Sequence, residues 1–400
     1  MTTRTGPASG LTRATLFAMA LATGLAVANI YYNQPMLGVM SASLGDPRVA
    51  GWIPTLTQLG YAAGLLFLLP LGDMLERRRL IVVQFVLLAV ALVLTALAPG
   101  LGVLAVASVL VGAGATVAQQ IVPFAAILAE PARRGAAIGT VMSGLFTGIL
   151  LSRTLAGIVS SVAGWRAMFW LSVPVALLGA WLMARRLPEH HPAHPLRYGQ
   201  VLASLIHLWR DEPVLRKAAF TQALLFASFS AFWTTLAMRL AEPPLNLGAA
   251  SAGLFGIVGA VGVAMAPIAG RVADRRGPAP VIALGAAAAL ASWLLFGLVP
   301  GLVGLILGVI VLDFGVQIAL VSNQHLIYGL HPEYKSRLNT LFMTTMFVGG
   351  ALGSLLGATA WHHAGWFGVC VLGGVLPVGA LLLSLLGKRA GKGATVSSEA

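Results

Sequence analysis

Apolar runs long enough to cross a bilayer recur along nearly the whole chain, and few folds survive that constraint. A helix rising about 1.5 Å per residue needs about 20 apolar residues to traverse a hydrocarbon core of about 30 Å. Twelve stretches meet this requirement, at 14–40, 50–71, 80–98, 101–129, 136–162, 166–185, 214–240, 249–270, 279–299, 302–330, 338–361 and 365–387. A transmembrane β-barrel is built from alternating segments of about ten residues, whereas these runs are continuously apolar and rich in Ala, Leu and Gly. Only 9% of the residues are charged, against roughly 25% in soluble domains. The expected fold class is an all-α membrane protein with twelve transmembrane helices in two six-helix bundles related by pseudo-two-fold symmetry.

Lys and Arg number 25 against 12 Asp and Glu, a net charge of +13, and such an excess also suits nucleic acid or an acidic surface. Its placement separates these readings. Cytoplasmic loops concentrate Lys and Arg, and with both termini inside, 21 of the 25 basic residues fall in inner segments. Arg48, Arg166 and Arg239 lie toward the outer face, and Arg153 lies within a span. The charge is therefore a topology signal: the lipid bilayer is an expected partner and nucleic acid is not. Cys370 is the single cysteine, so no intrachain disulfide can form, and no Cys/His cluster has metal-ligand spacing. With no Walker loop, dinucleotide fingerprint or nucleophile triad in a loop, neither enzymatic activity nor a cofactor or metal is expected.

Self-comparison at an offset of 201 residues pairs Asp73 with Asp274, Pro99-Gly100 with Pro300-Gly301, Gly114 with Gly315, Gly148 with Gly349, and Gly164-Trp165 with Gly365-Trp366. Six spans were duplicated, as in transporters built from parallel repeats. The expected organisation is an N-terminal bundle over 1–185, a cytoplasmic connector over 186–213 and a C-terminal bundle with a short cytoplasmic tail over 214–400. In the connector, His190, His191 and His194 alternate with prolines and read as a solvated linker. Leu202, Leu205, Ile206, Leu208 and Trp209, at helical spacing, read as a surface helix on the inner leaflet.

After the eighth span stands Gly270-Arg271-Val272-Ala273-Asp274-Arg275-Arg276-Gly277, and after the second the related Leu69-Pro70-Leu71-Gly72-Asp73-Met74-Leu75-Glu76-Arg77-Arg78. This duplicated loop resembles the Gly-x-x-x-Asp-Arg-x-Gly signature of the major facilitator superfamily, completely in the second copy and partly in the first. The resemblance covers nearly the whole chain. It implies a secondary active transporter of the bacterial cytoplasmic (inner) membrane that works by alternating access. Asp73, Arg77, Arg78, Gly270, Asp274, Arg275 and Gly277 would then form its gating loops. Asp73 would sit near Leu338, at the positive N-terminus of span 11, and Asp274 near span 5.

The span-5 signature of drug/proton antiporters, Gly-x-x-x-Gly-Pro-x-x-Gly-Gly, is altered over Gly148 to Gly157, with Arg153 in place of the Pro, and Ser108 stands where their span-4 basic residue is expected. Asn29-Ile30-Tyr31-Tyr32-Asn33-Gln34-Pro35, Ser152-Arg153-Thr154 and Leu312-Asp313-Phe314-Gly315 are similar to a subgroup described as arabinose-type or nucleoside-type efflux permeases.

Asp313 is the acid near mid-bilayer and Arg153 the comparable base, each costing about 2.5–3.5 kcal/mol to insert. Two readings stand side by side: Asp313 carries a proton during alternation with Arg153 beside it, or the pair is a static salt bridge between the halves. In the superfamily, spans 1, 4, 7 and 10 line the central cavity. The resemblance thus gathers Asn29, Tyr32, Asn33, Gln34, Gln119, Gln120, Gln222, Trp233, Gln317, Asn323 and Gln324 as candidate substrate contacts. Amides and aromatic faces suit a neutral or weakly charged sugar, nucleoside or drug-like molecule. The expected activity is proton-coupled efflux of a small organic molecule by a monomer. An importer, an uncoupled facilitator and a non-transporting sensor of the same fold remain as alternatives.

Overall fold

The computed structural model describes residues 11–192, 197–264, 277–331 and 334–393, and no strand occurs among them. Among the described residues ten helices are long and apolar enough to cross a membrane: Arg13–Leu44, Val49–Asp73, Arg77–Leu97, Leu101–Leu128, Pro131–Ala163, Trp165–Arg186, Pro213–Ala241, Pro278–Leu298, Gly301–Tyr328 and Lys335–Leu385. The last bends at Ala364 and Gly365, where φ/ψ leave helical space, and so makes two passes. With the shorter apolar helix Ala249–Ala264, the described residues make twelve passes, numbered here as spans 1 to 12. The expected extension of span 8 to residue 270 lies outside the described residues. The end bearing residue 13 and the connector is called the basic end, and the opposite end the distal end.

Both Gly-Trp corners of the repeat turn on a glycine with positive φ, 78° at Gly164 and 56° at Gly365, a conformation that a Cβ disfavours. Within each half, helices meet backbone to backbone. A Cβ on Gly144 or Gly148 in span 5 would collide with the carbonyls of Ala20 and Gly24 in span 1, and one on Gly349 or Gly353 in span 11 with those of Ala223 and Ala227 in span 7. Small residues permit this approach where lipid offers no hydrophobic drive between helices.

Among the described residues the two halves meet chiefly along three seams: span 1 with span 7, span 2 with span 11, and span 5 with span 8. In the last seam Thr154 Oγ1 donates to the Gly253 carbonyl at 3.1 Å, in the distal half of span 5 and the first turns of span 8. With Gly157 packed against the Ala249 carbonyl in this seam and Gly51 against Ala358 in the seam of spans 2 and 11, the halves touch on the distal side, an arrangement called here the distal-closed state.

The connector departs from the solvated linker expected of it. His190 N–H donates to Glu76 at 3.1 Å, Arg77 N–H donates to the His190 carbonyl at 3.1 Å, and the His190 ring stands edge-on to Phe124, 5.5 Å away. Glu76 drives this docking, because its carboxylate also caps span 3 by accepting from the N–H groups of Arg78 and Arg79. Burial pushes its pKa up, but these three backbone donors outweigh burial and hold the carboxyl below its ordinary value. His194 lies outside the described residues. The following helix, Tyr198–Asp211, buries Val201 and Leu205. Leu205 belongs to one buried cluster with Leu215, Ile327, Leu338 and Phe342 of spans 7, 10 and 11, while Ile206 stays exposed. Its apolar face is therefore spent mainly on protein.

Candidate functional site

Arg153 and Asp313 are 4% and 5% exposed, so each needs compensation, yet no salt bridge joins them among the described residues. Trp233 of span 7 stands between them. Its ring centroid lies 4.0 Å from the Arg153 guanidinium carbon, and its indole N–H donates to Asp313 Oδ1 at 3.4 Å. Tyr31, at 4.6 Å, and Phe229, at 5.8 Å, add further ring faces to the guanidinium. Arg153 Nε donates to Gln34 Oε1 at 2.8 Å, whereas Nη2 is buried without a partner. The static salt bridge is therefore not the arrangement of this distal-closed state. Arg153 is held by cation–π contacts, worth about 2 kcal/mol when desolvated, and by one neutral amide. Gly259 of span 8 makes the room, since a Cβ there would strike Asp313 Oδ2 and crowd the Trp233 ring.

The other candidate contacts separate by what their polar atoms do. Asn29 uses its amide on its own helix, donating to the carbonyls of Leu25 and Ala26 at 2.8 and 3.1 Å where span 1 tightens into a 3-10 turn. Asn33 donates to Thr57 Oγ1 at 3.1 Å and keeps a buried carbonyl oxygen without a partner. Gln119 donates to the Tyr61 hydroxyl at 3.1 Å. Gln120 donates to the carbonyls of Leu68 and Leu69 at 2.9 and 3.2 Å, where span 2 unwinds toward its loop. Gln222 donates to the Val316 carbonyl at 3.3 Å and accepts from Asn323 at 3.2 Å, tying span 7 to span 10. Gln324 donates to Asn339 at 3.3 Å. Tyr32 is buried and Gln317 is half-buried. The structure thus brings Gln34 and Trp233 to the charged pair, with Asn33 beside Gln34 in the chain, and places Gln120 and Gln324 toward the basic end.

A second inter-bundle cluster escaped the reading of the sequence. Gln58 of span 2 donates to Ser354 Oγ at 2.8 Å and accepts from Ser230 at 3.3 Å, and Thr234 donates to Ser354 at 3.0 Å. Its signal lay in the repeat. At the offset of 201, Ser354 is the counterpart of Arg153, Gly259 of Gln58, and Ser230 and Thr234 of Asn29 and Asn33.

Of the gating loops, Asp73 is bound to Arg77 at 3.0 Å with its side chain 44% exposed, and Leu338 is buried in the same apolar cluster as Leu205. The expected cap on span 11 is not what Asp73 provides in this state, because the i,i+4 neighbour reaches it first. Arg78 faces Glu189 of the connector at 3.7 Å. Gly277 begins span 9 with φ of 79°, while Gly270, Asp274 and Arg275 lie outside the described residues.

The sequence pattern of the Major Facilitator Superfamily matches residues 19–354 and, overlapping, 218–400. The chain is 43% identical over 382 residues, covering 95% of this chain and 97% of the other, to the "Uncharacterized transporter YgaY" of Escherichia coli O157:H7. It is 36% identical over 376 residues, 92% of this chain and 86% of the other, to the "Probable transporter SCO4007" of Streptomyces coelicolor. Among solved structures, the peptide transporter POT in complex with sulfate superposes with a TM-score of 0.73 at 14% identity, covering 93% of this chain and 92% of that one. That last likeness is one of fold.

Proposed function

Because the chain belongs to the Major Facilitator Superfamily and is a multi-pass membrane transporter, we propose that it exports a small organic molecule in exchange for protons, with Asp313 as the proton carrier. The observation that carries this reading is a buried carboxyl that accepts one indole N–H at 3.4 Å and, among the described residues, makes no salt bridge. An unpaired carboxylate in a dry interior costs several kcal/mol, and a proton removes that cost. The distal-closed state then suits the protonated acid. Opening toward water lets Asp313 release its proton, and substrate loads beside Arg153, Trp233 and Gln34. The basic end faces the cytoplasm of a bacterial inner membrane, following the bias of Lys and Arg. A sugar, nucleoside or drug-like molecule fits the aromatic and amide surfaces.

One observation favours a second reading, uptake of an organic anion together with a proton. Arg153 Nη2 has no partner, and a substrate carboxylate docked there would leave Asp313 neutral, so anion and proton would bind together. The sign of proton movement separates the two. In inverted vesicles without a pH gradient, adding an exchanged substrate outside alkalinises the lumen, and adding a cotransported one acidifies it. Either response should vanish in Asp313→Asn. A broad compound library giving no Asp313-dependent signal of either sign would overturn the assignment of Asp313.

A further inference from the structure

In the register of the repeat, Arg166 and Phe367 are counterparts, each following the Gly-Trp corner of its half. In the first half Arg166 plugs that corner. Its Nη2 donates to the Ala98 carbonyl at 2.8 Å, its Nη1 reaches Ser43 Oγ at 3.4 Å, and its guanidinium lies 4.2 Å from the centre of the buried Trp165 ring. In the second half Phe367 is 75% exposed, and the corner is hollow. An apolar groove of 430 Å³ runs between spans 9 and 12, lined by Leu294, Leu298, Phe367, Val371 and Val375. A more polar recess of 280 Å³ lies at the distal ends of the helices, lined by Arg239, Pro300, Gly301 and Trp366. Gly297 and Leu298 line both, so the groove and the recess adjoin.

The groove's lining along span 12 extends from Phe367 to Val378, about 16 Å at helical rise. That is about half of a hydrocarbon core of about 30 Å, the depth of one leaflet. At this distal mouth Arg239 lines the recess and pairs with Glu242, its Nη1 lying 3.4 Å from Glu242 Oε2, with side chains 23% and 46% exposed. The Arg239 guanidinium also lies 5.7 Å from the Trp366 ring centre, which holds it at the mouth.

We propose that this corner binds a phospholipid of the distal leaflet whose headgroup carries a primary ammonium. One acyl chain lies in the groove, the phosphate accepts from Arg239, and the ammonium donates to Glu242. Guanidinium recognises phosphate through parallel charge-assisted hydrogen bonds. A headgroup that is only anionic satisfies Arg239 and leaves the Glu242 carboxylate facing another negative charge. Nothing in this reasoning depends on the direction or coupling of transport.

The test is lipid retention. Wild type, Arg239→Gln, Glu242→Gln and Phe367→Arg are delipidated, exposed to vesicles of phosphatidylethanolamine or of phosphatidylglycerol, and analysed by native mass spectrometry. Wild type should hold phosphatidylethanolamine preferentially, and Arg239→Gln should weaken retention roughly tenfold. Glu242→Gln should erase the preference between the two lipids. Phe367→Arg installs the plug of the first half and should lower retention of both. Equal retention of the two lipids by wild type overturns the headgroup assignment even if a variant fails to fold. Undiminished retention in folded Arg239→Gln and Phe367→Arg overturns the site.

Discussion

The seam between spans 5 and 8 and the seam between spans 2 and 11 occupy equivalent places in a duplicated sequence and have been built from opposite chemistry. One holds Arg153 with Gly259 and borrows Trp233 and Asp313 from spans 7 and 10. The other holds Ser354 with Gln58 and closes with neutral hydrogen bonds to Ser230 and Thr234. Neutral hydroxyl and amide partners can separate and meet water at a net cost of about 1 kcal/mol per bond, which suits a latch that opens every cycle. A buried guanidinium and carboxyl respond far more strongly to protons and to charged ligands. Duplication supplied two equivalent seams, and divergence gave one neutral hydrogen-bonding partners and the other a buried charge; on the proposed function, the first is a latch and the second a sensor of charge.

The largest break in that comparison should come from Asp313→Asn, which removes the charge and nearly keeps the shape. Uphill accumulation in proteoliposomes should be lost while downhill substrate exchange persists; full accumulation by the variant would show that the charged seam does not couple protons.

Next in size is Gly259→Ala, which pushes a methyl group into Asp313 and Trp233. Overpacking of this kind costs about 1–3 kcal/mol, charged against the distal-closed state alone. A cysteine at Ala358, buried beside Gly51 in the neutral seam, should then react with water-soluble thiol reagents about tenfold faster or more in a Cys370→Ala background. An unchanged rate would mean that the charged seam can loosen without the latch opening.

Gln58→Leu should act more gently, since it removes two hydrogen bonds and leaves Thr234 bonded to Ser354. A loss of about 0.5–1.5 kcal/mol corresponds to labelling at position 358 a few-fold faster, with the stoichiometry of protons to substrate unchanged. A changed stoichiometry would place Gln58 in the coupling machinery and erase the distinction between the seams.

The smallest effect belongs to the basic end. Asp73→Asn breaks an i,i+4 pair with Arg77 worth about 0.3–0.5 kcal/mol, so labelling of a cysteine at Ser336 should change by about twofold. A tenfold increase would instead reveal that Asp73 leaves Arg77 to cap span 11 in the opposite state.

The sequence made the spans legible because lipid imposes a one-dimensional rule: about 20 apolar residues per pass, whatever the neighbours. It also marked Arg153 and Asp313, since charges within spans stand out against their surroundings. It was less informative about the amides. Gln120 and Asn29 carried the same marks as Gln34, yet they bond to backbone carbonyls at helix irregularities, while Gln34 meets Arg153. Glu76 stands where the loop signature has its second Gly, and it is the cap of span 3 and the anchor of His190. Each of these distinctions depends on where a helix tightens or unwinds, which hydropathy does not record.

What the sequence determined by itself was a helical membrane protein of two related halves with its positive charge gathered at one end, because hydropathy, charge bias and the 201-residue register are properties of the chain alone. Tertiary structure alone decided that Trp233 would stand between Arg153 and Asp313, that Gln58 and Ser354 would meet, and that Phe367 would leave open the corner that Arg166 fills. Those outcomes turn on which faces of distant helices touch. Contacts of small residues set the approach, and a hydrogen bond or ion pair is gained or lost within about an ångström of that separation.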